Sequence, residues 1–452
     1  MALNVLITGA SVAGNALAWW LGRDGAAVTV VERAPAFRDG GQNVDVRGVG
    51  RAVMREMGLE QAALERGTGE TGTAWIDADG EIAACFPTDE HTGDGPTAEM
   101  EILRGDLARL LYDAASDRAT YRFGDHVTAV DQTADAVEVS FASGTKARYD
   151  AVIVAEGVGS ATRDLVFPGE NWPRWMNMAI AYFTIPRVES DDRLWRWFHA
   201  PGGLSVSLRP DQHGTTRAML TVQKPPGGEE KWSTERQQAW LRDMFADAGW
   251  QSRRVLAGMA ETDDFYFDTL RQVRMPRWSN GRVALCGDAA WCVTPIGGVG
   301  TTLAVTGARV LAGEIARGPD LATAFGCYER AMRPMVEQAQ GVPRLAPRLA
   351  NPHSRAGIRA LHAALAFASR PAVRGIANKL SGGERVEPDL SRYDDANSDA
   401  ASSPEPRGSP PGGHGRAVAI GALVLAGAAT AIIATRRLRT PAVPQRDAER
   451  GR

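Results

Sequence analysis

The chain of 452 residues contains few lysines, cysteines and histidines, and these scarcities narrow what it can be. Lys+Arg number 51 and Asp+Glu 54, so the formal net charge is −3. A protein without excess basic charge has no electrostatic reason to bind nucleic acid. The 4 cysteines and 7 histidines show neither CxxC nor zinc-ligand spacing. We therefore expect a reduced cytoplasmic protein without a structural metal.

The N-terminus also lacks the positively charged region with which a signal peptide begins, so we expect no export. The composition is 44% hydrophobic and 23% charged, which is typical of a soluble globular protein. This composition excludes a fibrous or globally disordered chain. The length allows two or three domains of about 100–200 residues each.

The C-terminal part of the chain has a different composition. Residues 384–416 are rich in Pro, Gly, Ser and acidic residues, which predicts a disordered linker. Residues 417–435 carry no charge and have the length of a minimal membrane span, but many of them are Ala. Three interpretations stay open for this segment: a transmembrane anchor, an interfacial or dimerising helix, or a disordered tail. Residues 436–452 form a basic tail, so membrane attachment of a cytoplasmic protein is one hypothesis.

A strand–turn–helix pattern at the start of the chain carries the first chemical signal. Residues 4–8 are a short apolar run, followed at once by Gly9-Ala-Ser-Val-Ala-Gly14 and an apolar-periodic stretch. Gly9 permits a tight turn, the small Ser11 leaves room for phosphate, and Gly14 lets the helix pack against the strand. The amides at the helix N-terminus would then meet a pyrophosphate.

A second predicted strand, residues 28–31, supports this interpretation. It ends in Glu32, 23 residues after Gly9, where a carboxylate can accept hydrogen bonds from ribose hydroxyls. The candidate cofactor-binding residues of this region are Gly9, Ser11, Ala13, Gly14, Glu32 and Arg33.

Three later segments resemble, in order, elements of one enzyme family. They are residues 101–111, which contain Arg104, residues 150–163, which contain Glu156 and Gly157, and residues 282–300, which contain Gly287 and Asp288. This set resembles the single-component (class A) FAD-dependent aromatic hydroxylases, which have the para-hydroxybenzoate hydroxylase fold. The stretch 40–47 is similar to the subgroup of tetracycline-inactivating and actinobacterial antibiotic-tailoring monooxygenases. The resemblance covers about residues 3–380.

The resemblance implies an α/β fold in which a Rossmann-like FAD-binding domain carries an inserted antiparallel-sheet substrate domain and C-terminal helices. We expect the FAD-binding domain in residues 1–70, 101–170 and 279–330, and the substrate domain in residues 71–100 and 171–278. The C-terminal helices then occupy residues 331–383. The implied cofactor is FAD, with NAD(P)H as co-substrate and O₂ and a small aromatic molecule as further partners. Oligomeric state does not follow from the sequence.

The residues that the resemblance implies for FAD binding also suit that role on physical grounds. Asp288 follows a predicted buried strand and is placed to hold the ribityl chain or a ribose. Glycines near the next helix let its N-terminal amides approach the flavin and stabilise negative charge there. Arg104 starts a helix and can meet phosphate or polar flavin atoms. The candidates of this region are Asp45, Arg104, Glu156, Gly157, Gly287, Asp288, Pro295, Gly298 and Gly300, with Arg38 and Arg47 as candidate NAD(P)H contacts.

Two residues depart from the family pattern. Glu156 stands where the family usually has Asp, and Val299 stands where Gln is common. Neither prevents FAD binding on physical grounds, but both bear on reduction by a pyridine nucleotide.

The chain has one dinucleotide fingerprint, which argues against oxygenases that have two. It also lacks the redox cysteine pair of disulfide reductases, because Cys286 and Cys292 are separated by five residues. The resemblance then implies that NAD(P)H reduces the flavin, which reacts with O₂ to give a C4a-(hydro)peroxyflavin. We nominate no side chain as catalytic acid or base, because the cofactor performs the difficult step.

We expect a monooxygenase that hydroxylates or oxygenates a hydrophobic aromatic or polyketide-like metabolite. Residues 171–278 hold eight of the 12 tryptophans, and we expect two or three of the eight to line a pocket while the others pack in the core or lie on the surface. Two alternatives remain: a flavin oxidase, dehydrogenase or reductase acting on a lipophilic substrate, and a non-catalytic, membrane-tethered flavin-binding protein.

Overall fold

A computed structural model describes residues 2–38, 40–88, 100–371, 373 and 386–393. The candidate membrane segment 417–435 and the basic tail 436–452 lie outside these residues. Within the described residues, no helix is both long and apolar enough to cross a membrane.

The secondary-structure elements alternate along the chain as an α/β pattern. The strands are β1 (Asn4–Thr8), β2 (Ala27–Glu32), β3 (Asn43–Asp45), β4 (Gly72–Ile76), β5 (Ile82–Pro87), β6 (Glu101–Leu103), β7 (Ala119–Phe123), β8 (Val127–Gln132), β9 (Val137–Phe141), β10 (Lys146–Tyr149), β11 (Ala151–Val154), β12 (Arg174–Pro186), β13 (Leu194–Ala200), β14 (Leu204–Pro210), β15 (Thr215–Gln223), β16 (Tyr266–Gln272), β17 (Ser279–Asn280) and β18 (Val283–Leu285). The helices are α1 (Val12–Arg23), α2 (Val49–Glu56), α3 (Glu60–Glu65), α4 (Arg104–Ala115), α5 (Ala161–Val166), α6 (Thr234–Phe245), α7 (Ser252–Glu261), α8 (Asp288–Trp291), α9 (Gly300–Arg317), α10 (Leu321–Gln340), α11 (Ala346–Ala350) and α12 (Arg355–Ala368). Short 3₁₀ turns cover Glu229–Lys231, Pro295–Gly297 and Ser391–Tyr393.

The first sheet has the strand order β17-β18-β11-β1-β2-β7. Its strands run parallel, apart from the short β17. Strands β1 and β11 are continuous apolar runs, and Leu6, Ile7 and Ile153 are fully buried, as expected for parallel strands that are covered on both faces. Helices α1, α4 and α9 contribute to the same core. The carboxyl ends of β1, β2, β11 and β18 therefore meet at one edge, where the glycine turn after β1 also lies.

The second sheet has seven strands in the order β16-β12-β15-β14-β13-β4-β5. All of them come from the two ranges expected for the substrate domain. Alternate residues of β12 point to opposite faces: Ala181 and Phe183 pack in the core with helices α6 and α7, while Met178 and Ile180 belong to a separate cluster on the other face. This other face is turned toward the first sheet and forms one wall of the cavity described below.

The segment 386–393 packs against the first domain, so the prediction of a disordered linker from residue 384 is wrong for these residues. The Tyr393 side chain is buried, and its hydroxyl donates to Glu314 Oε1 at 2.7 Å. Arg309 on α9 donates to the Tyr393 carbonyl at 2.7 Å. The average composition of residues 384–416 did not indicate this contact, because a single buried aromatic residue can hold a short polar segment against a domain.

Candidate cofactor and substrate site

One cavity of about 2380 Å³ runs from the edge of the parallel sheet to the seven-stranded sheet. It is larger than the roughly 300–1,000 Å³ of a typical small-molecule pocket, so it has room for a dinucleotide and a second ligand. Of the sequence-predicted site residues, all except Gly14 and Gly287 line it. Those that do are Gly9, Ser11, Ala13, Glu32, Arg33, Arg38, Asp45, Arg47, Arg104, Glu156, Gly157, Asp288, Pro295, Gly298 and Gly300.

The glycines of the first turn allow backbone segments to pack closely. Gly9 has φ of +100°, and a Cβ there would lie 2.5 Å from the carbonyl oxygen of Ala155. A Cβ on Gly14 would lie 1.9 Å from the carbonyl oxygen of Gly9, and one on Gly287 would lie 2.8 Å from the Ala13 Cβ. Gly14 and Gly287 therefore act by bringing β1, α1 and α8 together and not by lining the cavity.

Glu32 is fixed at the end of β2 by two backbone amides. Its Oε2 accepts a hydrogen bond from the Ala10 amide at 3.0 Å, and its Oε1 accepts one from the Ala34 amide at 2.9 Å. The carboxylate therefore has a defined position beside the glycine turn, with lone pairs left to accept from a ligand hydroxyl.

Arg104 connects three segments at the edge of the parallel sheet. Its backbone amide donates to the Gln42 carbonyl at 2.9 Å, its Nη1 donates to Ser11 Oγ at 3.1 Å, and its Nη2 donates to the Gly40 carbonyl at 3.2 Å. Burial lowers the pKa of the guanidinium, and nearby Tyr266 and Asp288 oppose this shift. Arg104 thus holds the loop around Gly40 against the N-terminus of α1.

Asp45 and Arg47 form an ion pair, with Arg47 Nη2 and Asp45 Oδ2 2.7 Å apart. The Arg47 amide donates to Thr302 Oγ1 on α9 at 3.0 Å. The structure therefore brings together two residues for which the sequence predicted separate ligands. Arg38 also lines the cavity, on the segment that follows β2.

The Glu156 carboxylate accepts hydrogen bonds from neighbouring residues of the protein. Its Oε2 accepts from Ser160 Oγ at 2.7 Å and from the Thr162 amide at 3.0 Å, and its Oε1 accepts from Thr162 Oγ1. The side chain therefore caps the N-terminus of α5.

The segment after β18 forms the opposite side of the cofactor half. Burial raises the pKa of the Asp288 carboxyl, while Arg104 and the Cys292 thiol oppose the rise. Gly298 has φ of +65°, and no atom lies within 4 Å of the position of its missing Cβ. Helix α9 begins at Gly300, so its first amides and the positive end of its dipole border the cavity.

The wall contributed by the seven-stranded sheet holds aromatic residues, of which the sequence predicted only some. Of the eight tryptophans in residues 171–278, Trp195 and Trp197 line the cavity, which confirms the expectation of two or three. Trp75 on β4 and two tyrosines, Tyr182 and Tyr266, also line it. Alternation along each strand shows which side chains share a face, but it cannot show which face borders the cavity.

Comparison with known proteins agrees with this geometry. Residues 2–338 match the family model described as FAD binding domain. The flavin-dependent monooxygenase eupH of a Phoma species is 36% identical over 402 residues, covering 81% of this chain and 92% of that protein. The chain belongs to the FAD-binding domain family of flavin-dependent monooxygenases. A second family member, the FAD-dependent monooxygenase asL4 of Sarocladium schorii, is 35% identical over 366 residues, with coverage of 75% and 85%.

Solved structures show the same fold. The tetracycline destructase Tet(51) is 30% identical, with a TM-score of 0.72 and coverage of 83% of this chain and 98% of that one. HpxO of Klebsiella pneumoniae, solved with FAD and uric acid, has a TM-score of 0.68 at 23% identity, with coverage of 83% and 95%. The family and the α/β fold class predicted from the sequence are confirmed.

The residues present fit the FAD of this family. The fixed Glu32 carboxylate suits ribose hydroxyls, and the amides of the turn before α1 suit a pyrophosphate. Gly157 and Gly298 leave open space where a Cβ would stand, so their backbones can approach a planar ring. Among the residues that the structure describes, no three or more His, Cys, Asp or Glu side chains form a cluster able to hold a metal ion.

Proposed function

We propose that this flavin-dependent monooxygenase uses NAD(P)H and O₂ to hydroxylate or otherwise oxygenate a hydrophobic aromatic or polyketide-like compound. The observation that carries the proposal is the continuity of the cavity. It joins an edge equipped for a dinucleotide to a wall of aromatic and sulfur-containing side chains. A flavin at that edge would face a substrate lying against that wall.

The residues of the cofactor half would bind and orient FAD. The turn from Gly9 to Gly14 would receive the pyrophosphate, Glu32 would accept hydrogen bonds from ribose hydroxyls, and Asp288 would hold the ribityl chain. The N-terminus of α9 would place the positive end of its helix dipole where it can stabilise negative charge on the flavin. When bound, FAD would store electrons and activate O₂.

The residues of the substrate half would exclude water and hold a flat ring. Trp75, Trp195 and Trp197 present aromatic surface, and Met178 and Met219 add polarisable side chains that adapt to irregular shapes. The 30% identity with Tet(51), a protein named as a tetracycline destructase, favours a polycyclic substrate.

NAD(P)H would enter the same cavity, because the sequence has one dinucleotide fingerprint. Arg38 and Arg47 are the proposed contacts for its phosphate groups. Arg47 is paired with Asp45, so it offers less net charge than Arg38.

The test is anaerobic reduction of the FAD-loaded protein by NADPH and then by NADH, followed by admission of O₂ with candidate aromatic compounds. We expect bleaching of the flavin absorbance and a product that is heavier by one oxygen atom. A product that has gained or lost two hydrogens would favour an oxidase, dehydrogenase or reductase. Bound FAD that neither coenzyme reduces would contradict the proposal.

A further inference from the structure

Trp172 and Leu345 are the most exposed large apolar side chains among the residues that the structure describes. Each of them is 66% exposed. Trp172 lies in the loop before β12, and Leu345 lies in the loop between α10 and α11. Single exposed apolar residues are normal on a protein surface, whereas neighbouring ones mark a site of interaction. What these two side chains mean therefore depends on how the two loops are connected.

Two arginines hold these loops together. Arg174 Nη2 donates to the Val342 carbonyl at 2.7 Å, and its Nη1 donates to the Gln340 carbonyl at 3.3 Å. Arg274 Nη2 donates to the same Gln340 carbonyl at 3.2 Å, and the Arg274 carbonyl accepts from the Trp172 amide at 3.1 Å. The loops are therefore neighbours, and we call their exposed residues the Trp172–Leu345 surface. It comprises Trp172, Pro173, Arg274, Pro343, Arg344 and Leu345.

The Trp172–Leu345 surface carries positive charge. Burial lowers the pKa of the Arg174 guanidinium, and the like charges of Arg274 and Arg344 lower it further. The three guanidiniums are therefore close enough to repel one another. In the described part of the chain, none of the three pairs with a carboxylate, whereas the nearby Arg277 pairs with Glu170. An anionic partner would relieve this repulsion.

The cavity opens beside this surface. Arg344 and Leu345 both line the cavity, and both are exposed to solvent. Val342 and Pro343 of the same loop also line it. A compound that enters or leaves the cavity along this loop therefore passes the Trp172–Leu345 surface.

The chemistry of the surface matches the headgroup region of an anionic lipid bilayer. Tryptophan is enriched at that level of membranes, because its ring is apolar and its N–H is polar. An arginine close to an anionic leaflet contributes about 1 kcal/mol to binding. Trp172, Leu345 and Arg344 thus supply an interfacial ring, an apolar side chain and a positive charge on adjoining loops.

The course of the chain after the described residues agrees with a bilayer as the partner. The segment 386–393 begins close to the surface, since the Val386 amide donates to Gln338 Oε1 at 3.4 Å, two residues before Gln340. Residues 394–416 then lead to the uncharged stretch 417–435 and to three arginines after it. A chain of that length spans at most about 80 Å when extended. The surface and the uncharged stretch are therefore able to meet the same bilayer.

We propose that the Trp172–Leu345 surface docks the folded protein on an anionic lipid bilayer. Trp172 and Leu345 enter the headgroup region, and Arg344 lies beside lipid phosphates. The mouth of the cavity then faces the bilayer, where lipophilic compounds accumulate. Docking is separate from the reaction proposed above, because it concerns where the protein lies and not what it oxygenates.

Flotation of the full-length, FAD-loaded protein with lipid vesicles over a range of lipid concentrations tests the docking. We expect binding to phosphatidylcholine vesicles that contain phosphatidylglycerol, and weaker binding to vesicles of phosphatidylcholine alone. High salt should weaken the binding to the anionic vesicles, because it screens the arginines.

Substitutions in the surface separate its charge from its apolar part. Arg344→Gln should weaken binding to the anionic vesicles about fivefold, as expected for the loss of about 1 kcal/mol from one arginine. Leu345→Ser and Trp172→Ser should each weaken binding about tenfold, and to both kinds of vesicle, because burial of one large apolar side chain contributes about 1.5 kcal/mol. Near-UV circular dichroism and FAD content check that the variants fold.

Two exposed residues on α6 provide matched controls. Arg242 and Met244 lie on this helix, which packs on the face of the seven-stranded sheet that is turned away from the cavity. Arg242→Gln and Met244→Ser should therefore bind both kinds of vesicle as tightly as the unchanged protein. An equal loss in these variants would overturn the proposal, because the whole surface and not one site would then attract lipid.

A further variant separates the surface from the C-terminal tail. It carries Arg436→Ser, Arg437→Ser and Arg439→Ser, which remove the positive charges that follow the uncharged stretch. Arg344→Gln and Leu345→Ser should weaken vesicle binding by the same factors in this background as in the unchanged chain. If they changed the binding in neither background, the proposal would be overturned and the tail alone would bind lipid.

Two other results would overturn membrane docking. One is that the unchanged protein does not float with anionic vesicles. The other is a dimer in analytical ultracentrifugation that Leu345→Ser converts to a monomer while vesicle binding stays the same, which would assign the surface to a second copy of the chain. Flavin reduction and oxygenation are measured without vesicles, so the proposed function would stand in either case. Protein that binds vesicles but is not reduced by NAD(P)H would instead contradict the proposed function and leave docking in place.

Discussion

The Glu156 carboxylate accepts hydrogen bonds at the start of α5 and also lines the cavity. The resemblance predicts Asp here with a cofactor role, but the Glu carboxylate caps α5 through Ser160 and Thr162. Glu156→Asp should pull the carboxylate away from Thr162 and destabilise the protein by about 1 kcal/mol, as the loss of a helix-capping acceptor does. Urea unfolding followed by circular dichroism measures this change.

The affinity for FAD separates the two roles of Glu156. If the carboxylate serves only α5, Glu156→Asp should bind FAD as tightly as the unchanged protein. A weaker affinity at unchanged stability would show that the carboxylate contacts the cofactor instead.

Arg104 is the residue for which a conservative change is expected to matter most. Lysine has a single nitrogen and cannot donate to both Ser11 Oγ and the Gly40 carbonyl, which the guanidinium reaches with two nitrogens. Arg104→Lys should weaken FAD binding about tenfold, or about 1.4 kcal/mol. Fluorescence titration of the apoprotein with FAD measures it. Arg55→Lys serves as the control because the Arg55 side chain is 65% exposed, and an equal loss there would contradict the assignment.

Among the elements, α9 is unusual because it receives a side chain from the segment 386–393. A Cβ on Gly313 would lie 2.5 Å from Cδ1 of Tyr393, so only glycine accommodates the ring. We expect Tyr393→Ala to destabilise the protein by about 3 kcal/mol, the loss typical of removing a buried aromatic ring.

A double-mutant cycle tests this contact. Gly313→Ala should destabilise the full chain, because the new methyl group displaces Tyr393. In the Tyr393→Ala background the same change should stabilise the protein by about 1 kcal/mol, because Ala is the better helix former. Gly326→Ala in α10, where the missing Cβ would meet only the flexible Arg330 side chain at 3.3 Å, should stabilise both backgrounds. The same sign for Gly313→Ala in both backgrounds would refute the contact.

The sequence predicted those strands and turns that are specified by residues close together in the chain. The strand of residues 4–8, the glycine turn and the carboxylate at Glu32 are separated by few residues, and the structure forms β1, α1 and β2 there. Tyr182 shows the limit, because its exposure to the cavity depends on which sheet face the other domain covers. The Glu70–Arg209 contact joins residues that are 139 positions apart, and no local pattern specifies such a pair.

At the scale of the whole molecule, the charges predict how stability depends on pH. His199 on β13 and His362 on α12 are buried, with Nδ1 and Nε2 3.4 Å apart. Burial lowers the pKa of His199 to about 3 and lowers that of His362. The unfolded chain therefore binds protons that the folded protein does not. As the pH falls below about 6.5, the two histidines should reduce the free energy of unfolding by up to about 1.4 kcal/mol per histidine and pH unit.

Glu70 acts in the opposite direction. Burial raises its pKa to about 7 in the folded protein, above the unfolded value, so its contribution to stability is present at low pH and is lost as the pH rises from about 4.5 to about 7. In urea unfolding at pH 7.5 and 5.5, Glu70→Gln should lose more stability on acidification than the unchanged protein, because the compensating proton is gone. The double variant His199→Gln with His362→Gln should lose less. An equal change in the free energy of unfolding between pH 7.5 and 5.5 in all three proteins would contradict the pKa shifts of both the histidine pair and Glu70.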